Sequence, residues 1–82
     1  MYRILFTRRA VKDFEKLNED IKLRLKEKFN LLLNNPIGIS KKLSSPLIGS
    51  YRLRIGDYRV IFDIDDDKVV ILRIGHRKDI YK

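Results

Sequence analysis

The chain has 82 residues, 44% of them hydrophobic, and no cysteine; this bounds it to one domain over residues 1–82 and excludes disulfides and thiolate metal sites. Nineteen basic against 11 acidic residues give a net charge of +8, which points to a polyanionic partner: nucleic acid, an acidic protein or an anionic membrane. The opening MYRILFTRR has no apolar run of signal-peptide length, and no stretch approaches the ~20 apolar residues of a membrane span, so a soluble, cytoplasmic protein is expected.

Tyr2 to Phe6 is a β-branched and aromatic run that reads as an edge or central strand. Thr7 is placed to cap a helix starting at Arg8, in which Ala10, Phe14 and Leu17 recur at helical spacing with Val11 beside them. Asn18 is placed to cap a second helix, with Glu19 and Asp20 in the first turn where the helix dipole favours acids. Ile21, Leu25, Phe29 and Leu32, widened by Leu33, form its apolar stripe, while Lys22, Arg24, Lys26 and Lys28 take other faces. Asn34-Asn35-Pro36 stops it, because a residue preceding proline avoids the helical region. The two helices form a hairpin whose apolar faces need a sheet. Ile37 to Ser50 then reads as a long loop containing Lys41 and Lys42.

Tyr51 to Ile64, YRLRIGDYRVIFDI, alternates apolar and charged residues around Gly56-Asp57. That dipeptide between alternating runs signals a two-residue turn of type I′ or II′. The turn fixes the register: Ile55 opposes Tyr58, Arg54 opposes Arg59, Leu53 opposes Val60 and Arg52 opposes Ile61. Arg52, Arg54 and Arg59 then share one face. Tyr51, Leu53, Ile55, Tyr58, Val60 and Phe62 share the other. Like charges directly opposed across a sheet are destabilising, so stability gives no reason for Arg54 to meet Arg59, whereas an arriving anion does. Asp65-Asp66-Asp67 makes the next turn, of two or three residues, and Lys68 to Ile74 the last strand, followed by a tail Gly75 to Lys82. Strand, two helices, then a three-stranded antiparallel meander is an α+β architecture with helices on one sheet face. The arginine face is left open, and Arg73 joins it if the register permits.

Guanidinium forks match phosphate oxygens bidentately and stay charged at any working pH, so the arginine face reads as a phosphate site. His76, the only histidine, is a candidate proton carrier. Tyr81 could stack on a base, hand over a proton or anchor the tail. One histidine and the aspartates of a turn do not make a metal ligand set, and Asp63, Asp65, Asp66 and Asp67 lack the length and glycine of a calcium loop. No phosphate-binding glycine loop or nucleophile elbow is present.

The basic helical hairpin RAVKDFEKLNEDIKLRLKEKF, the KKL segment, the hairpin YRLRIGDYRVIF and the tail GHRKDIY together resemble the RelE branch of the RelE/ParE superfamily of bacterial and archaeal toxins. The resemblance covers essentially the whole chain and implies a toxin of a type II toxin–antitoxin system. It would cut messenger RNA in the ribosomal A site by attack of the 2′-hydroxyl on the adjacent phosphate, without a metal ion or other cofactor. The implied partners are a RelB-like antitoxin with an acidic amphipathic segment, the ribosome and its message, and operator DNA through the toxin–antitoxin complex; a membrane is not among them. Arg52 and Arg54 match two basic strand positions that are lysine in one branch. Arg59 matches the arginine after the hairpin turn, Arg77 the arginine after the last strand and Tyr81 the C-terminal tyrosine, while His76 stands at a basic position. Arg54, Arg59 and Arg77 would hold the scissile phosphate, Arg52 would orient it, and Tyr81 or His76 would move protons. Lys41, Lys42 and Arg73 complete the RNA-binding candidates. A ParE-like gyrase inhibitor and a non-catalytic basic RNA-binding module are the alternatives.

Overall fold

The computed structural model describes residues 2–34, 41–42 and 51–80. Its elements run β1 (Arg3–Phe6), α1 (Arg8–Glu15), α2 (Glu19–Asn34), β2 (Lys41–Lys42), β3 (Tyr51–Ile55), β4 (Tyr58–Asp65) and β5 (Lys68–His76). The sheet order is β1-β5-β4-β3-β2, with β1 parallel to β5 and the other pairs antiparallel. This is the expected α+β arrangement of N-terminal strand, helical hairpin and meander. Two features differ from expectation. Lys41 and Lys42, assigned to a loop, pair with Arg52 and Tyr51 as an edge strand. The last strand runs two residues further, to His76, because its partner β4 starts at Tyr58 and the ladder continues to that end. The rest of the Ile37–Ser50 loop lies outside the described residues, as do Asn35 and Pro36 of the helix stop.

Both helix starts use the caps the sequence offers. The Ala10 N–H donates to Thr7 Oγ1 (3.1 Å), and the Ile21 N–H donates to Asn18 Oδ1 (2.9 Å), each satisfying a donor that the helix leaves orphaned. The Thr7 hydroxyl also donates to the Leu72 carbonyl on β5 (3.1 Å), so the cap fixes α1 against the sheet. Ala10, Leu25 and Leu32 of the helices are fully buried with Leu53, Ile55, Val60, Phe62, Val69, Ile71 and Ile74 of the strands. Phe6 sits between the helices, edge-on to Phe14 (6.2 Å) and Phe29 (5.5 Å). Val11, beside the apolar positions of α1, is exposed.

The hairpin register is the expected one, Arg54 opposite Arg59 and Leu53 opposite Val60. Gly56 has φ +57° and is the one residue of its turn with positive φ, the signature of type II′. The next turn has two residues, Asp66 and Asp67, since Asp65 pairs with Lys68. Between β4 and β5 the register then shifts. Phe62 opposes Ile71 but Ile61 opposes Arg73, leaving Leu72 as the extra residue of a bulge. A one-residue shift exchanges the faces of everything beyond it. The bulge therefore keeps Ile74 in the core opposite Val60, and puts Gly75 opposite Arg59 and His76 opposite Tyr58.

Candidate functional site

The face of the sheet turned away from the helices carries Arg52, Arg54, Arg59 and Ile61, with Arg73 and Gly75 next to them on β5. Arg54 and Arg59 lie one rung from the closing pair Ile55–Tyr58 of a two-residue hairpin. That rung is of the non-hydrogen-bonded kind, in which Cα atoms approach to about 4.5 Å and side chains crowd most. Arg54 is exposed. Arg59 is 7% exposed and is the buried charged side chain among the described residues. Its Nη1 donates to the Gly56 and Tyr58 carbonyls, both at 2.9 Å. The opposing position on β5 is Gly75, which leaves the guanidinium room, and Ile80 closes over Gly75 at 3.7 Å from where a Cβ would stand.

Among the described residues, neither Arg54 nor Arg59 makes an ion pair. The buried Arg59 charge is held, among the described residues, by neutral carbonyls, whereas buried charges are normally paired. Two guanidiniums so placed can take an anion bidentately.

The remaining candidates divide. Arg52 is half-buried on the same face, opposite Ile61, and has a partner. Lys41 stands opposite Arg52 in the ladder, and Lys42 opposite Tyr51, at a position of the other face. Arg77 follows the last pair of β5; its N–H donates to the Asp57 carbonyl (2.8 Å) and its Nε lies 3.7 Å from Asp57 Oδ1. It is more than half exposed, at the same end of the sheet as Arg54 and Arg59. Arg73 has its position on the arginine face, but its Nε donates to Asp13 Oδ2 on α1 (3.0 Å), and the same oxygen accepts the Ile74 N–H (3.0 Å). Its charge is committed to holding α1 against β5. His76 is on the helix side of the sheet, edge-on to Tyr58 with ring centroids 5.5 Å apart. The sheet thus separates it from Arg54 and Arg59. Tyr81 lies outside the described residues. Among the described residues, no three His, Cys, Asp or Glu side chains gather as a metal site, and no helix is long and apolar enough to cross a membrane.

The structure adds two acidic partners: Asp13, which holds Arg73, and Asp57, which holds Arg77. Asp57 was legible as a neighbour of the arginines, since the hairpin register places it at the turn. Asp13 was not, because its contact spans 60 residues of chain.

A family model described as the ParE toxin of the type II toxin–antitoxin system parDE matches residues 4–81. Toxin RelG of Mycobacterium tuberculosis is 39% identical, with 99% of this chain and 97% of the relative aligned. The mRNA interferase toxin RelE of Escherichia coli is 31% identical over 94% of this chain and 84% of its own. Among solved structures, the RelBE2 toxin–antitoxin complex of Mycobacterium tuberculosis superposes with a TM-score of 0.82 at 38% identity, covering 93% of this chain and 98% of that one. With a match this complete in sequence and in fold, the chain belongs to the RelE/ParE superfamily of type II toxin–antitoxin toxins, on its RelE branch.

Proposed function

We propose that this protein is an endoribonuclease that cuts messenger RNA in the ribosomal A site. The observation that carries the reading is the Arg54–Arg59 rung: two arginines opposed on the sheet face away from the helices, Arg54 exposed and Arg59 buried, with no ion pair to either among the described residues. The E. coli relative bears the name mRNA interferase, which supports the same activity here.

In this mechanism the 2′-oxygen forms a bond to phosphorus as the bond from phosphorus to the 5′-oxygen breaks. The products are a 2′,3′-cyclic phosphate and a 5′-hydroxyl. Negative charge grows on the phosphate oxygens in the transition state, and preorganised donors aimed at that charge typically contribute the largest share of the rate. Arg54 and Arg59 supply those donors, Arg77 joins them from the end of the sheet, and Arg52 orients the phosphate, with the Lys41 position beside it in the ladder; Arg73, held by Asp13, and Lys42, at a position of the other face, fall outside this set. Arginine does not serve as a general base, since its pKa exceeds ~12. With His76 across the sheet, the proton given up by the 2′-hydroxyl passes by way of Tyr81 to the departing 5′-oxygen, and the step uses no metal ion. The ribosome holds the message in the reactive geometry, which a domain this small does not achieve alone.

The cognate antitoxin is a RelB-like chain with an acidic amphipathic segment that covers the basic surface, as the solved complex of the M. tuberculosis relative suggests. The toxin–antitoxin complex binds its operator DNA, and the toxin acts in the cytoplasm. The test is an end-labelled message on programmed ribosomes and naked. Cleavage confined to the A-site codon, and only on ribosomes, is expected. The matched family model is described by ParE, so DNA gyrase is the second target to assay; loss of supercoiling without RNA cleavage would favour it.

A further inference from the structure

We infer that the helix side of the sheet carries a nucleobase subsite, centred on Tyr58 and His76, for a nucleotide flanking the cleaved bond. An open cleft of about 360 Å³ lies between the C-terminal end of α1 and the end of β5. Leu17 and Ile74 contribute its apolar surface, Tyr58 and His76 its rings, and Lys16 and Asp79 its charged rim. The Asp13 and Arg73 side chains, also on the wall, are already bonded to each other.

Each of these groups suits a base. Tyr58 and His76 meet edge to face, with planes 76° apart, so at least one ring face is not covered by the other ring. Base stacking on an aromatic face tolerates any sequence. His76 Nδ1 accepts the Lys78 N–H (3.2 Å); the neutral ring therefore carries its proton on Nε2, a donor for a base carbonyl or ring nitrogen. Lys16 is exposed and makes no ion pair among the described residues. The base thus belongs within and its phosphate outside, at Lys16.

The placement relative to the arginines gives the subsite its partner. The Tyr58–His76 rung directly follows the Arg59–Gly75 rung, about 3.4 Å along the strands, on the opposite face. Arg77 stands one residue beyond, exposed at the end of the sheet. A single strand that leaves the Arg54–Arg59 phosphate site and rounds this end passes Arg77 and brings a neighbouring base to the cleft. The choice of RNA as partner rests on the proposed nuclease reading; the binding measurement below does not.

His76 is the only histidine in the chain, so its ring protons are an unambiguous probe by proton NMR of the full chain. The titrants are the four nucleoside 5′-monophosphates, with ribose 5-phosphate as the base-free anion. The nucleotides should shift the His76 signals saturably at millimolar concentration, and ribose 5-phosphate should not. Tyr58→Leu, which keeps an apolar side chain, should weaken binding at least about fivefold through lost stacking. Lys16→Gln, at an exposed position, should weaken it about two- to threefold at low salt and less at high salt. Equal shifts from ribose 5-phosphate overturn the subsite. So does an absence of shifts with nucleotides when the same signals move on addition of the antitoxin, which would make the cleft a protein contact. Wild-type cleavage without nucleotide shifts overturns the subsite alone. Nucleotide shifts without any ribosomal cleavage uphold it and overturn the nuclease reading.

Discussion

At the residue scale, Arg54 and Arg59 set function against stability. Directly opposed like charges cost stability, and the Arg59 guanidinium recovers part of that cost from the Gly56 and Tyr58 carbonyls of its own turn. Arg54 has no such contact among the described residues. Arg54→Gln should therefore leave the fold as stable or raise its stability, by about 0.2–1 kcal/mol, while lowering the cleavage rate about 10²–10³-fold. Thermal melting and ribosomal cleavage of the same preparation check both halves. A variant that melts lower and cleaves normally would show that the rung serves the fold. The pairing itself was legible in the sequence, because Gly56-Asp57 between alternating runs leaves one register. The burial of Arg59 was not. It follows from Gly75 standing opposite and Ile80 closing over it, and Gly75 reaches that position only through a shift elsewhere in the strand.

At the element scale, the decisive irregularity is the bulge at Leu72. Continued from the Asp65–Lys68 pair without a shift, the ladder would bring Arg73 into the core, Ile74 out beside Arg59, and His76 onto the arginine face. The apolar pattern carried a trace of the bulge: Val69, Ile71 and Ile74 are buried, and the step from 71 to 74 breaks the period of two. With the turn length undetermined, that trace could not be converted into faces; His76 entered as a candidate from its proton chemistry and from the resemblance, and the register places it across the sheet from Arg54 and Arg59. The helices were more readable, since caps and stripes are local, and both caps form. Their attachment to the sheet was not, because it depends on Asp13. That carboxylate accepts the Ile74 N–H and the Arg73 Nε, at a stretch of β5 that runs past the end of β1. Asp13→Ala leaves this N–H without its acceptor and frees Arg73. We expect a loss of about 1–3 kcal/mol, measured by urea unfolding. A loss below ~0.5 kcal/mol would mean that water replaces the carboxylate fully.

At the scale of the whole molecule, the sheet divides the labour. Its helix face holds the core, which 82 residues without disulfides must build from aliphatic and aromatic side chains alone. Its other face holds the arginines. The net charge of +8 acts on both and steers the chain toward polyanions. Because phosphate contacts release counterions, affinity for ribosomes should fall as a power of the salt concentration. Replacing one phosphate-contacting arginine should lower the slope of log K against log salt by about 1. A slope unchanged in Arg54→Gln would place that residue away from phosphate. Composition makes a polyanionic partner the expectation, and the hairpin names the face that would meet it. Neither could give the second, helix-side cleft, which exists only where α1 ends over the end of β5.

The most direct test of the central claim is the chemistry of the RNA ends left on programmed ribosomes by the wild-type chain and by Arg59→Ala, each checked to be folded. The account predicts 2′,3′-cyclic phosphate ends within the A-site codon for the wild type, and at least about a 10²-fold slower appearance of them for the variant. A folded Arg59→Ala protein that cuts at the wild-type rate would contradict it.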